Sequence, residues 1–65
     1  MATLVKFYKV KHNDYRNGHL LATRNLDYVP HKGTYVEFSG QLFLIESVLL
    51  NLDASCEYII AMTRA

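Results

Sequence analysis

The chain has a single cysteine and no long apolar run, and both absences narrow its class. A lone Cys56 excludes an intrachain disulfide and, with it, the disulfide-dense class of secreted domains. No segment approaches the roughly 18 apolar residues of a membrane span, and charged residues begin too early for the apolar core of a signal peptide. We therefore expect a soluble, cytoplasmic protein that makes no membrane contact.

Catalytic and metal-binding patterns are also missing. His12, His19 and His31 have no His-x-x-x-His spacing, and no Cys-x-x-Cys pair accompanies them. Nothing places a histidine as a base beside Cys56, and the three glycines stand singly rather than in a phosphate-binding loop. The sequence therefore predicts no enzyme activity, no metal and no cofactor.

The chain is short, and its size limits the core that it can build. Its 65 residues form one domain, 1–65, in which only about 60% of the unfolded surface can be buried. The hydrophobic fraction is 51%, which is high for such a small body without a disulfide. Oligomerisation is a common source of the missing stability, so we expect a homodimer.

Charge is distributed unevenly along the chain, although the net charge is only +1. Residues 1–33 carry six Lys or Arg and two Asp, a net +4, whereas residues 34–65 carry one Arg and four Asp or Glu, a net −3. The two halves could attract each other within one domain or between two subunits. Alternatively, the basic half could face an acidic partner.

The first half of the chain predicts a β-hairpin. Thr3 to Lys11 is rich in β-branched and aromatic residues, and Leu20 to Tyr28 follows as a second strand. Asn17-Gly18 tolerates the positive φ angles of a two-residue type I′ turn between them. With that turn, Phe7 lies opposite Tyr28 and Arg24 lies opposite Lys11. The polar stretch from Lys11 to Arg16 could instead form a loop.

The second half predicts three more strands. Pro30 and Gly33 form a turn, Thr34 to Ser39 alternates with a period of two, and Ser39-Gly40 reverses the chain. The apolar segment from Leu42 to Leu52 reads as a strand, although its spacing of three and four also fits a helix. The last strand is Cys56 to Arg64.

The candidate core residues of the fourth strand stand at odd positions in its first half and at even positions in its second half, so in a regular strand the two groups would lie on opposite faces. A β-bulge near Glu46-Ser47 would direct Val48, Leu50 and Leu52 to the same face as the earlier apolar residues. The predicted core is Val5, Phe7, Leu26, Val36, Phe38, Phe43, Ile45, Val48, Leu50, Tyr58, Ile60 and Met62. A second apolar face, carrying Leu42, Leu44, Ile59 and Ala61, is the predicted self-association surface.

A longer motif runs through this half of the chain, Val29-Pro30-x-x-Gly33-x-x-Val36-x-x-x-Gly40-x-x-Phe43-x-Ile45-x-x-Val48. It resembles the pattern of small SH3-like β-barrel accessory proteins of bacteria and their phages. Phe43 and Ile45 stand where Tyr and Val are commoner. The five predicted strands make an all-β fold, a five-stranded, mostly antiparallel, strongly bent sheet, and the resemblance implies a compact SH3-like or related small barrel. By analogy of size and fold, it also implies a phage-encoded inhibitor or modulator of a host protein.

One cluster suggests a binding role. Lys9, Lys11, Tyr15, Arg16 and Arg24 on the predicted hairpin form the expected partner-binding surface. We expect a non-enzymatic protein-binding module. One alternative is a nucleic-acid-binding barrel, because cations interleaved with aromatic residues can hold phosphates and stack bases. A structural homo-oligomeric subunit is the other alternative.

Overall fold

The computed structural model describes residues 3–11, 18–53 and 56–65 of the chain. These residues form five strands and no helix: β1 (Thr3–Lys9), β2 (His19–Leu26), β3 (Tyr35–Phe38), β4 (Gln41–Asn51) and β5 (Glu57–Arg64). The predicted all-β class and the five mostly antiparallel strands are confirmed. The helical alternative for the fourth segment is wrong, because Gln41–Asn51 is one continuous strand.

The strands form one mixed sheet in the order β2-β1-β5-β4-β3. The central strand, β5, runs parallel to β1, with Phe7 opposite Ile60, and the other pairs are antiparallel. The sheet curls strongly into a half-barrel with β2 and β3 at its two edges. A small, curled, five-stranded sheet fits a small β-barrel of SH3-like type. We call the face around the core the inner face and the opposite one the outer face.

The predicted register of the first hairpin is wrong. Phe7 lies opposite Ala22 rather than Tyr28, and Lys9 lies opposite His19. The paired strands are therefore joined by residues 10–18 rather than by the two-residue turn at Asn17-Gly18, and Asn17 itself lies outside the described residues. Arg24 lies opposite Val5, so the predicted pairing with Lys11 is also wrong.

The second hairpin has the turn that its sequence predicts. Phe38 lies opposite Gln41, so Ser39 and Gly40 alone make the turn. Both have positive φ angles, 52° and 76°, as a type I′ turn requires. The turn before β3 is also held in place, because the Gly33 N–H donates to the Ile45 carbonyl oxygen at 2.9 Å.

The β-bulge predicted in β4 is present, but its consequence is not the one expected. Ile45 lies opposite Met62 and Ser47 lies opposite Ala61, so Glu46 is the extra residue. The bulge places Val48 and Leu50 on the inner face, opposite Ile60 and Tyr58. Both nevertheless stay exposed, at 36% and 45%, because they lie beyond the end of β3, which pairs only with Gln41–Leu44.

The core therefore occupies the first half of β4 and the central strands. Its buried members are Val5, Phe7, Phe43, Ile45, Ile60 and Met62, and the partly buried Leu26, Val36, Phe38 and Tyr58 pack against them. Ten of the predicted core residues are thus confirmed. The predictions for Val48 and Leu50 are wrong, and Leu52, which the bulge was expected to bury, is 70% exposed. Val10 is buried although it was not predicted.

Candidate functional site

Basic side chains from three strands line a cavity of about 470 Å³ at one end of the sheet. We call it the basic cleft. Its lining residues are Lys9, Val10, Lys11, His19, Thr63 and Arg64. Three cationic side chains and a histidine thus share one opening.

The parallel pairing of β1 and β5 brings the cleft together. Lys9 lies opposite His19 in β2 and opposite Met62 in β5, and Arg64 follows Met62 by two residues. Since side chains two residues apart on a strand share a face, Lys9, His19 and Arg64 all belong to the inner face. The Val10 N–H donates to the Met62 carbonyl oxygen at 2.9 Å, which keeps the chain beside β5 beyond the end of β1.

The charged side chains that line the cleft are all basic, although the Thr63 hydroxyl in the lining donates to the Glu46 carboxylate at 2.9 Å. No Asp or Glu is among the described residues that line it. Glu57 begins β5 and Arg64 ends it, so acidic and basic side chains lie at opposite ends of this strand. Lys6, the nearest other cation in β1, forms an ion pair with Glu57 at 3.2 Å. Cations at the cleft consequently lack an acidic neighbour within its lining, a situation that favours an anionic ligand.

The structure divides the residues predicted to bind a partner. Lys9 and Lys11 line the basic cleft, whereas Tyr15 and Arg16 lie outside the described residues. Arg24 lines a separate groove of about 230 Å³ between the edge strands, together with Leu26 and other apolar side chains. Its guanidinium donates a hydrogen bond to the Thr23 carbonyl oxygen at 2.9 Å.

Sequence reasoning missed four of the six lining residues, among them His19 and Arg64. Arg64 is the single cation of the acidic half of the chain, so its charge gave no hint of a basic site. Only the parallel alignment of β5 with β1 places it beside Lys11. The alternation of side chains along β5 could have indicated the face on which Arg64 lies, but it does not indicate which strand pairs with β5.

Neither aromatic ring of the first strand stands exposed beside the cations of the basic cleft. Phe7 is buried in the core, and Tyr8 lies on the outer face opposite Ala61. Lys6, the other cation of β1, lies on the outer face with Glu57. Phe7 shares the inner face with Lys9 but is buried, and Tyr8 shares the outer face with Lys6, so neither ring stands exposed beside Lys9 and Lys11.

The residues predicted for self-association do share the outer face, but they differ in exposure. Leu42 is exposed, Leu44 and Ile59 are half-buried, and Ala61 is fully buried. Leu49 lies opposite Ile59 and extends this face along β4. Ala61 therefore adds no surface, whereas Leu49 does.

The described part of the chain offers no group of three or more His, Cys, Asp or Glu side chains that could hold a metal ion. Cys56 is exposed. Within residues 3–11, 18–53 and 56–65 there is also no helix of the length and hydropathy needed to cross a membrane.

Comparison with other proteins leaves the family open. No family model matches the chain, and no curated protein or solved structure matches it significantly.

Proposed function

We propose that this chain is a non-enzymatic protein-binding module that holds an acidic segment of a partner protein in the basic cleft. The observation that carries this proposal is the meeting of Lys9, Lys11, His19 and Arg64 around one cavity whose described lining contains no acidic residue. The resemblance of the chain to short phage and bacterial accessory proteins supports a role in modulating a host protein in the cytoplasm.

The chemistry of the cleft suits carboxylates. Arg64 can accept a carboxylate through two parallel N–H donors, and Lys9 and Lys11 add two flexible ammonium groups. A volume of about 470 Å³ has room for acidic side chains of a peptide segment. A one-signed cleft also attracts an oppositely charged partner before contact, which raises the association rate.

Nucleic acid is the second candidate, because the same cations could hold phosphates. Sequence-tolerant single-strand binders add exposed aromatic rings on which bases stack. Phe7 is buried and Tyr8 lies on the outer face, so neither ring stands beside Lys9 and Lys11. This separation is why an acidic protein segment is the preferred ligand.

The test compares two labelled probes of equal length, an oligoglutamate peptide and a single-stranded oligothymidine, by fluorescence anisotropy at low and high salt. We expect the peptide to bind more tightly than the oligonucleotide. Lys11→Glu and Arg64→Glu should each weaken peptide binding by about tenfold or more, since each replaces an attraction with a repulsion.

Lys32→Glu is the matched control. Lys32 is exposed on the turn before β3 and lines no part of the basic cleft, so the same charge change should weaken binding less than about twofold. Equal losses in all three variants would show only a net-charge effect and would overturn the assignment of the cleft. Tighter binding of the oligonucleotide would overturn the choice of a protein partner.

A further inference from the structure

The second half of β4 has an open edge. β3 pairs only with Gln41–Leu44, and the turn before it reaches as far as Ile45. Beyond that point, β5 covers one edge of β4, and no described strand pairs with the other edge along Val48–Asn51. The sheet therefore ends in a stretch of backbone that a further strand could join.

Backbone groups on this edge are directed outward. The Ile45 N–H donates to the Thr34 carbonyl oxygen at 2.9 Å, and the Ile45 carbonyl oxygen accepts from Gly33, so both groups of Ile45 face away from β5. Residues of one strand that share a side-chain face direct their N–H and C=O groups to the same edge. Val48 and Leu50 share the face of Ile45, because they lie opposite Ile60 and Tyr58. Their N–H and C=O groups therefore point to the open edge.

The side chains of this segment are apolar and exposed. Val48, Leu49 and Leu50 are 36%, 44% and 45% exposed, and no charge or proline interrupts them. Natural proteins protect free edges with lysine, proline, bulges or a covering element. The bulge at Glu46 precedes this segment, and residues 29–32 border its start, where they line a cavity together with Glu46, Ser47 and Val48. Leu49 and Leu50 follow without a lysine or proline of their own, and an edge of this kind is a template for pairing with another chain.

We propose that a second copy of this chain occupies the edge, with the two β4 strands antiparallel and Leu49 opposite Leu49 at the two-fold axis. In this register Val48 lies opposite Leu50, and these two residues can exchange backbone hydrogen bonds because both face the edge. The same two-fold operation joins inner face to inner face, so the two sheets become one continuous sheet.

Self-complementarity is the reason for choosing a second copy over a foreign strand. The paired stretch runs from Ser47 to Asn51, because Gly33 and Thr34 already bond to Ile45 on this edge. About the Leu49 axis, Val48 meets Leu50 and Ser47 meets Asn51, so no charged residues oppose each other. The small core of a 65-residue chain adds a reason, because edge pairing would cover apolar surface that the half-barrel leaves exposed.

This interface differs from the basic cleft and does not depend on the proposed function. Leu50 lies opposite Tyr58, near the start of β5, whereas Arg64 of the basic cleft ends that strand. It also differs from the outer-face surface predicted around Leu42 and Ile59, although Leu49 lies next to Ile59. The experiments below separate these interfaces.

The first experiment measures mass in solution by sedimentation equilibrium at micromolar concentrations. We expect the unsubstituted chain to have twice the chain mass. Leu49→Lys should weaken the dimer by at least about tenfold, because two lysines would meet at the axis. Leu42→Lys is the matched control, since Leu42 is equally exposed on the same strand but lies where β3 already pairs.

Mixing two charge variants tests the register directly. Leu49→Lys and Leu49→Glu should each be monomeric alone and should form a mixed dimer when combined, because residue 49 would then face its opposite charge. A mixture that stays monomeric would overturn the register. A monomeric unsubstituted chain, or a dimer lost in Leu42→Lys and kept in Leu49→Lys, would overturn the proposal.

A crosslinking experiment covers the case in which the charge variants do not fold. Leu49→Cys in a Cys56→Ser background should form a disulfide-linked dimer under mild oxidation. Residues directly opposite in a non-hydrogen-bonded pair have Cα atoms about 4.5 Å apart, within the range of about 4.4–6.8 Å that a disulfide spans. Leu42→Cys in the same background should stay reduced. Equal crosslinking of the two variants would contradict the interface.

Discussion

The Nζ of Lys6 lies 3.2 Å from Oε2 of Glu57, and this ion pair joins the parallel strands β1 and β5 on the outer face. Lys6 belongs to the basic half of the chain and Glu57 to the acidic half. At this pair, attraction between the two halves operates within a single chain. The side chain of Glu57 is only 10% exposed, so its carboxylate depends on protein partners more than a surface carboxylate does.

Removing the cation of this pair should destabilise the fold. Lys6→Ala should lower the free energy of unfolding by about 1 kcal/mol, because the nearly buried Glu57 carboxylate loses a charged partner. Urea denaturation followed by circular dichroism measures the change. Lys32→Ala, at an exposed position, should change stability by less than about 0.5 kcal/mol. The loss in Lys6→Ala should shrink at high salt, and equal effects of the two substitutions would contradict this account.

Gly18 should tolerate no side chain, for a reason of space. A Cβ atom at position 18 would lie 2.9 Å from Cγ1 of Val10, which is buried and has a short, stiff side chain. Gly18→Ala should therefore cost about 1–3 kcal/mol of stability, measured by thermal or urea unfolding. In the double variant with Val10→Ala, part of this cost should disappear, giving a coupling of at least about 0.5 kcal/mol. Additive losses would show that the contact is not the cause.

Gly33 should be restricted by backbone conformation instead. Its φ angle is 92°, and nothing lies within 4 Å of a Cβ built there. Gly33→Ala should cost about 1–3 kcal/mol through strain alone. Gly33→Asn should cost less than Gly33→Ala, since asparagine adopts positive φ more readily. The comparison by urea unfolding distinguishes strain from crowding, and a larger loss in the asparagine variant would point to crowding.

Two residues with the same predicted role should differ sharply in their contribution to stability. Ile60 is completely buried, so Ile60→Ala should cost about 2–5 kcal/mol, and Ile60→Val, as a milder change, about 1 kcal/mol. Leu50→Ala should cost less than about 1 kcal/mol in the monomer, because Leu50 is 45% exposed. Unfolding at low protein concentration makes the comparison. A loss in Leu50→Ala as large as that in Ile60→Ala would contradict the observed core.

Two arginines should differ in their effect on binding. Arg64 lines the basic cleft, whereas Arg24 lines the groove between the edge strands and donates to a backbone carbonyl. Arg64→Gln should weaken oligoglutamate binding by about tenfold and reduce its salt dependence, whereas Arg24→Gln should change it by less than about twofold. Titrations at several salt concentrations test both statements. A larger loss in Arg24→Gln would move the binding site to the groove.

Features predicted correctly from the sequence are those with a local cause. Ser39-Gly40 supplies the two positive φ angles of a type I′ turn. In β4, the predicted core residues before Glu46 stand at odd positions and those after it at even positions, so they can share one face only if a bulge lies between them. The predicted register of the first hairpin was wrong because a two-residue turn sets the register only where it joins the strands directly, and here Lys9 pairs with His19. The exposure of Leu50 could not be predicted, because it depends on where β3 ends.

The sequence by itself determined the strand content, the Ser39-Gly40 turn, the bulge and ten of the core residues, because a period of two and turn chemistry act over a few residues. Only the tertiary structure decided that β1 and β5 run parallel and that Arg64 lies beside Lys9 and Lys11. It also decided that Phe7 is buried and that Tyr8 lies on the outer face, away from these cations. Pairing between segments some fifty residues apart depends on the packing of the whole sheet, which no local pattern specifies.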